Sequence, residues 1–144
     1  MSNVALCPNP TIPATVDAVL EATRKVEAVL KGMPQVDLET THSLFAGIYS
    51  RTVCLPPGVM ITGVLIKIPT VLTIVGDLTL TVGDHVERVK GFRLFECAPN
   101  RKQIMFAHDV SYVTMSFASD AKTVEEAEEQ FTDEFENLMS RSKT

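Results

Sequence analysis

The 144-residue sequence has no tryptophan, two tyrosines and three cysteines. Cys7, Cys54 and Cys97 lie far apart and form no C-x-x-C pair. Their odd number argues against a disulfide framework. Cys54 and Cys97 fall inside strand-like runs and read as free, buried thiols of a chain made in a reducing cytoplasm. Long apolar runs are also missing. The most apolar stretch, residues 52–76, is broken by Pro56, Pro57, Gly58, Lys67 and Pro69. That is far short of the roughly 18 uninterrupted residues a membrane span needs. No membrane partner is expected. The first basic residue is Arg24 and no apolar block leads the chain, so no secretory leader is expected either. The motifs that usually mark an enzyme are absent: no H-x-H, no H-E-x-x-H, no Gly-rich phosphate loop and no G-x-S-x-G elbow.

What remains is the composition of a single globular domain, 45% hydrophobic and 22% charged. The net charge of −5 argues against nucleic acid as the main partner. It is unevenly spread. Residues 1–41 carry −2, residues 42–118 carry +2 and residues 119–144 carry −5. These three stretches also differ in texture and are taken as an N-terminal arm and helix, a β domain, and a C-terminal helix and tail packed on that domain.

The arm is uncharged over its first thirteen residues. Pro8, Pro10 and Pro13 deny helix, and Val4, Leu6 and Ile12 make it sticky. Such a segment docks on something, either its own domain or another chain. Val4, Leu6, Pro8, Pro10 and Ile12 are the candidate partner-binding residues. A helix then starts at Pro13 or Thr15, carries Val16, Val19, Leu20, Thr23, Val26 and Leu30 on one stripe, and stops at Gly32. A linker reaches about Thr41.

From Ile48 the texture is β. The runs IYSRTVCL, VMITGVLIKI, VLTIV, LTLTV, HVERV, FRLFEC, KQIMFAH and VSYVTMSFA are separated by Gly, Pro, Asn and Asp, including turns expected at Gly76-Asp77 and Gly83-Asp84. Short runs punctuated about every 8–12 residues predict an all-β sandwich or barrel. Arg88, Lys90, Arg93, Arg101 and Lys102 read as solvent-facing positions on it. Thr123 to Glu126 predicts a capping box opening a second helix. Val124, Ala127, Phe131, Phe135 and Leu138 form its apolar stripe, and its acidic residues read as a solvated face. The histidines are scattered. Only His42 and the pair His108-Asp109 offer a conceivable catalytic cluster, if the fold brings them together.

The stretch from about Thr41 to Glu129 resembles the cupin family of jelly-roll domains, above all its small single-domain members from bacteria and phages. The likeness rests on His42, Gly47-Ile48-Tyr49-Ser50-Arg51, Pro57-Gly58, Thr62-Gly63, Gly76-Asp77, Pro99 with Lys102, and Asp109 with Tyr112 and Thr114. It implies a cupin-like jelly roll flanked by the arm and two helices. The family's metal motif places paired histidines and a glutamate between two glycines, with a further histidine later. Laid on Gly58 and Gly76, the ligand positions fall on Val64, Ile66, Thr70 or Val71, and on Ile104 or Ser116. These side chains cannot replace a transition metal's hydration shell. No metal, cofactor or catalytic residue is therefore expected, and the barrel interior is expected to be a filled, dry core.

Filled jelly rolls serve as building blocks in viral shells. The resemblance implies a structural protein: a phage virion decoration or cement protein, a dimer by preference, contacting the major capsid protein. The alternative is a metal-free, cupin-like small-molecule-binding or regulatory protein of the bacterial cytoplasm, with Tyr49, Thr70 or Ser116 converging on a pocket. A third reading is an enzyme built on His42, His108 and Asp109.

Overall fold

The computed structural model describes residues 9–138. Its elements run β1 (Thr11–Ile12), α1 (Asp17–Lys31), β2 (Thr40–Phe45), β3 (Ile48–Leu55), β4 (Met60–Thr62), β5 (Thr70–Val82), β6 (His85–Cys97), β7 (Ile104–Ala107), β8 (Ser111–Ala118) and α2 (Val124–Phe131), with a single 3-10 turn at Phe135–Asn137. The hydrogen-bonded order is β1-β6-β5-β8-β3-β2, and β7 pairs with both β4 and β5. The all-β jelly roll expected from the sequence is what forms.

Two long strands organise it. β5 and β6 pair antiparallel over thirteen positions, from Thr70↔Cys97 to Val82↔His85. The sequence reading divided each into two strands, with a turn at Gly76-Asp77. Gly76 is instead a corner inside β5. Before it, Val71–Val75 pair with β8; after it, Leu78–Leu80 pair with β7. One strand thus feeds two walls of the barrel. The corner is held by the β7–β8 connection. The amide of His108 and the Ser111 hydroxyl donate to the Asp77 carbonyl at 2.8 and 3.1 Å, and the Asp77 amide donates to Ser111 Oγ at 3.0 Å. Gly76 has φ 143°, and a Cβ there would lie 2.7 Å from the Val110 carbonyl oxygen. Only glycine allows that approach. The Gly83-Asp84 hairpin forms as expected.

Alternation sets the inner face. Leu72, Ile74, Leu78, Leu80 and Val82 of β5 are buried, as are Val113, Met115 and Phe117 of β8. Each large side chain so buried contributes about 1.5–3 kcal/mol. Several boundaries depart from expectation. The run Val59 to Ile68 is a strand only over Met60–Thr62, with an isolated bridge Ile66↔Arg101. The supposed linker ends in β2, which pairs with β3 from Thr40↔Val53 to Phe45↔Ile48.

The arm, where described, packs on its own barrel. Ile12 is 1% exposed and pairs parallel with β6 at Cys97. The Pro10 carbonyl accepts from the Glu96 amide at 3.0 Å, while the Pro10 ring is exposed. Val4, Leu6 and Pro8 lie outside the described residues. α1 begins after Val16, which has no side-chain cap. Thr15 is diverted, because its hydroxyl accepts from the Lys102 amide at 2.9 Å. Val16 is 56% exposed, so the buried stripe starts at Val19.

α2 is capped by Thr123, whose hydroxyl accepts from the Glu126 amide at 3.1 Å. The reciprocal bond of the box goes elsewhere: Glu126 Oε2 accepts from the Lys122 amide. The helix ends at Phe131, earlier than the stripe predicted. The Thr132 hydroxyl donates to the Leu65 carbonyl at 2.7 Å, and the Phe131 carbonyl accepts from the Lys67 amide. These bonds to the barrel replace the next helical turn, and Leu138 is buried beyond it.

Candidate functional site: a cavity at the barrel's centre

The interior is not filled. A cavity of about 300 Å³ lies between the barrel walls, α1 and the C-terminal segment. Val53, Ile61, Val64 and Ile66 are only partly buried because they face it. Its far wall is made by Leu72, Met105, Val113 and Met115. The expectation of a filled core is therefore corrected. An interior of this size is at the small end of the range for ligand sites. A wider depression of about 500 Å³ beside Gly47 and Gln130 is shallow and open.

Lys31, Arg51 and Arg101 line the cavity, and Lys102 is paired with its wall residue Glu27; the sequence reading misplaced Arg101 and Lys102. Arg101 and Lys102 are each 1% exposed, not solvent-facing. Lys102 Nζ lies 2.7 Å from Glu27 Oε2 on α1 and 3.1 Å from Glu134 Oε1 in the C-terminal segment. One ammonium thus pins both covering elements to the barrel. Arg24 adds a contact to Glu134 at 3.0 Å. Arg51, a cavity-wall residue, is paired with Glu128 at 3.0 Å. Glu128 is 1% exposed, so the acidic run of α2 is not wholly a solvated face. Arg101 differs from both. Its Nη1 donates to the Ala98 carbonyl at 2.7 Å and its Nη2 to the Thr70 hydroxyl. Its Nε has no partner among the described residues.

The positions aligned with the family's metal ligands are dispersed. Val64 and Ile66 line the cavity, and Thr70 is buried against Arg101. Ile104 starts β7 opposite Thr62. Ser116 points away from the interior and shares a 2.9 Å hydrogen bond with Ser50 on the outer face. Val and Ile offer no lone pair, so this set does not fit a divalent metal. Among the described residues no three His, Cys, Asp or Glu side chains gather as a metal site. Tyr49 is also not at the cavity; it is fully buried among Phe117 and Phe131.

The histidine cluster does not assemble. His42 Nδ1 is 2.7 Å from the Tyr49 hydroxyl, while His108 Nε2 is 2.6 Å from the Thr79 hydroxyl. Asp109 caps its own turn, accepting from the Val110 amide at 2.8 Å. Burial and the Arg51 guanidinium hold His42 below its usual 6.5, against a smaller upward pull from Glu128 and Glu125. Burial pushes Glu134 up, but the Leu65 amide, Lys102 and Arg24 outweigh it and hold the carboxyl below its usual 4.5. Both shifts mean that the unfolded chain binds more protons than the folded one as acid is added. Stability from His42 is therefore full above about pH 6.5 and is lost as pH falls through its folded value. Glu134 acts the same way, with its contribution full above about pH 4.5. Urea midpoints measured from about pH 7.5 down to pH 4 should fall steadily, and His42→Gln should flatten the upper part of that slope. A midpoint that rises on acidification contradicts this assignment.

The sequence matches no family model. No curated protein resembles it significantly. The fold, in contrast, has solved counterparts. A cupin superfamily protein from Desulfitobacterium hafniense superposes with a TM-score of 0.50 at 8% identity, covering 61% of this chain and 83% of that one. A conserved protein of unknown function from Streptococcus pyogenes gives 0.48 at 12% identity, covering 61% and 79%. A cupin domain of a transcriptional regulator from Enterobacter cloacae gives 0.46 at 9% identity, covering 55% and 94%. Among the described residues no helix is long and apolar enough to cross a membrane. At such identities the likeness speaks for architecture alone, and by that architecture the chain is a cupin-like jelly roll.

Proposed function

We propose that this protein is a metal-free binding module that holds a small, largely apolar molecule inside its barrel and does not transform it. The observation that carries this reading is the 300 Å³ cavity, walled by Val64 and Ile66 where the family resemblance implies imidazoles. The walls give an apolar guest a surface to bury, and the lining carboxylate, Glu27, is held by Lys102. A virion decoration role goes with a filled barrel, so the cavity weighs against it. The described end of the arm, docked on β6 through Ile12, also leaves less of it for a capsid protein.

A thermal-shift panel of short-chain and aromatic acids, alcohols and sugars tests the proposal. A compound present at about 100 times its Kd adds about 2.7 kcal/mol. For a domain of this size that is a rise of several degrees in Tm. At least one compound should produce it, and Val64→Phe, which fills the cavity, should abolish the response while leaving a folded barrel. A panel that leaves the wild-type Tm unmoved, or a response that survives Val64→Phe, defeats the reading.

Twofold self-association belongs to the same proposal. Phe92, Val75 and Tyr112 are exposed and adjacent across β6, β5 and β8 by register. That neutral row supports pairing of two copies, which sizing by light scattering decides.

A further inference from the structure

We infer that the molecule this cavity takes is a monocarboxylate with a hydrocarbon body, bound head-first to Arg101. The inference rests on the binding reading above and adds the chemical class of the guest.

The argument begins from charge. Of the cations packed into the barrel beside the cavity, Lys102 has Glu27 and Glu134, and Arg51 has Glu128. Arg101 has none within ion-pair distance among the described residues. Its hydrogen bonds go to the carbonyls of Ala98 and Ile68 and to the Thr70 hydroxyl, all neutral acceptors. Cys97 is the titratable neighbour, and burial pushes its thiol up, so it stays uncharged beside the guanidinium. A guanidinium remains charged in a protein, and a buried charge without a counter-ion is costly.

Nη1 and Nη2 are occupied, Nε is unpartnered, and Arg101 lines the cavity. An anion entering the cavity would supply both the missing acceptor and the missing charge. The rest of the wall limits what that anion can be. Leu72, Met105, Val113 and Met115 give its body a hydrocarbon surface, and the other cations on the wall are Arg51, neutralised by Glu128, and the exposed Lys31. Glu27 also lines the cavity, but its carboxylate is held by Lys102 and by the Thr62 hydroxyl at 3.4 Å. A second charge set against that hydrocarbon would have to be desolvated without a partner. One carboxylate with an apolar tail satisfies both ends, since charge-assisted hydrogen bonds are the strong ones.

Calorimetric titration of the wild-type protein with hexanoate against hexan-1-ol, and with benzoate against benzyl alcohol, tests this. Within at least one pair the acid should bind at least tenfold tighter than its alcohol. Arg101→Gln should remove that preference while leaving alcohol binding unchanged. Should the variant fail to fold, the wild-type comparison still decides. Equal binding of acid and alcohol overturns the anchor and leaves the binding module standing. An acid preference that persists in folded Arg101→Gln overturns it too, by locating the anion elsewhere. Binding of neither member of either pair defeats the inference, and the thermal-shift panel with Val64→Phe then decides separately whether the binding module survives.

Discussion

Lys102→Met should destabilise the protein by about 3–5 kcal/mol, the usual cost of removing one member of a buried ion pair. The Lys102 side chain is 0% exposed and its ammonium sits between Glu27 and Glu134. Methionine fills much of the same volume, so the loss is electrostatic more than steric. Glu27 and Glu134 are then left close together with the cation between them gone, although Arg24 still holds one oxygen of Glu134. Like charges repel and both are partly desolvated. The effect should be visible in urea unfolding as a lower midpoint. Adding Glu27→Gln to Lys102→Met should recover part of the loss, because it removes one of the two stranded charges. A Lys102→Met protein within about 1 kcal/mol of wild type would mean that the pair is worth no more than an exposed one.

Glu128→Ala should cost about as much, roughly 3–5 kcal/mol. Glu128 is 1% exposed, and the Arg51 side chain that it neutralises is 11% exposed. Alanine suits the helix, so α2 propensity is not at issue. What is lost is the counter-charge to Arg51, which lies 6.0 Å from the Phe131 ring centroid and cannot easily reach water. The same substitution removes an upward pull on His42, so the histidine's folded pKa should drop further below 6.5. Chemical denaturation gives the first quantity and imidazole NMR titration the second. A mild loss of stability with an unmoved His42 would remove Glu128 from the buried network.

The β architecture was legible because it depends on local alternation. The runs IYSRTVCL and VSYVTMSFA became β3 and β8 almost unchanged, and period-two burial is written directly into the second. Gly76 was correctly marked as special and wrongly interpreted. Its sequence signal is that of a turn, but the chain stays in one strand and bends into the next wall, because β7 and β8 offer two sets of partners along it. Of the positions aligned with metal ligands, Val64 and Ile66 line the cavity, whereas Ser116 lies one residue away from an inward-facing position. In a strand, that slip exchanges the inner face for the outer; Met115 is the residue that looks inward.

The polar residues around the cavity were not legible. Arg101 and Lys102 look like any charged pair after a Pro-Asn turn. The burial of Lys102 is decided by Glu27 and Glu134, which are remote in sequence and brought close by α1 and the C-terminal segment, and that of Arg101 by acceptors at Ala98 and Thr70. Glu128 sits in a run of glutamates, and nothing local distinguishes it from Glu125 or Glu129, which are exposed. The cavity is a tertiary property. Val53, Ile61 and Val64 have the composition of a core, and only the distance between walls determines whether they meet or leave a space.

That space is what the account depends on, and xenon probes it without engaging Arg101 or any other polar group. Methyl NMR of the methionines under xenon pressure should show saturable shifts at Met105 and Met115, which line the cavity, and none at Met33, which is 53% exposed and lies outside it. Unperturbed Met105 and Met115 methyls at pressures that fill known apolar cavities would mean that the barrel is solid, and the binding function would fall with it.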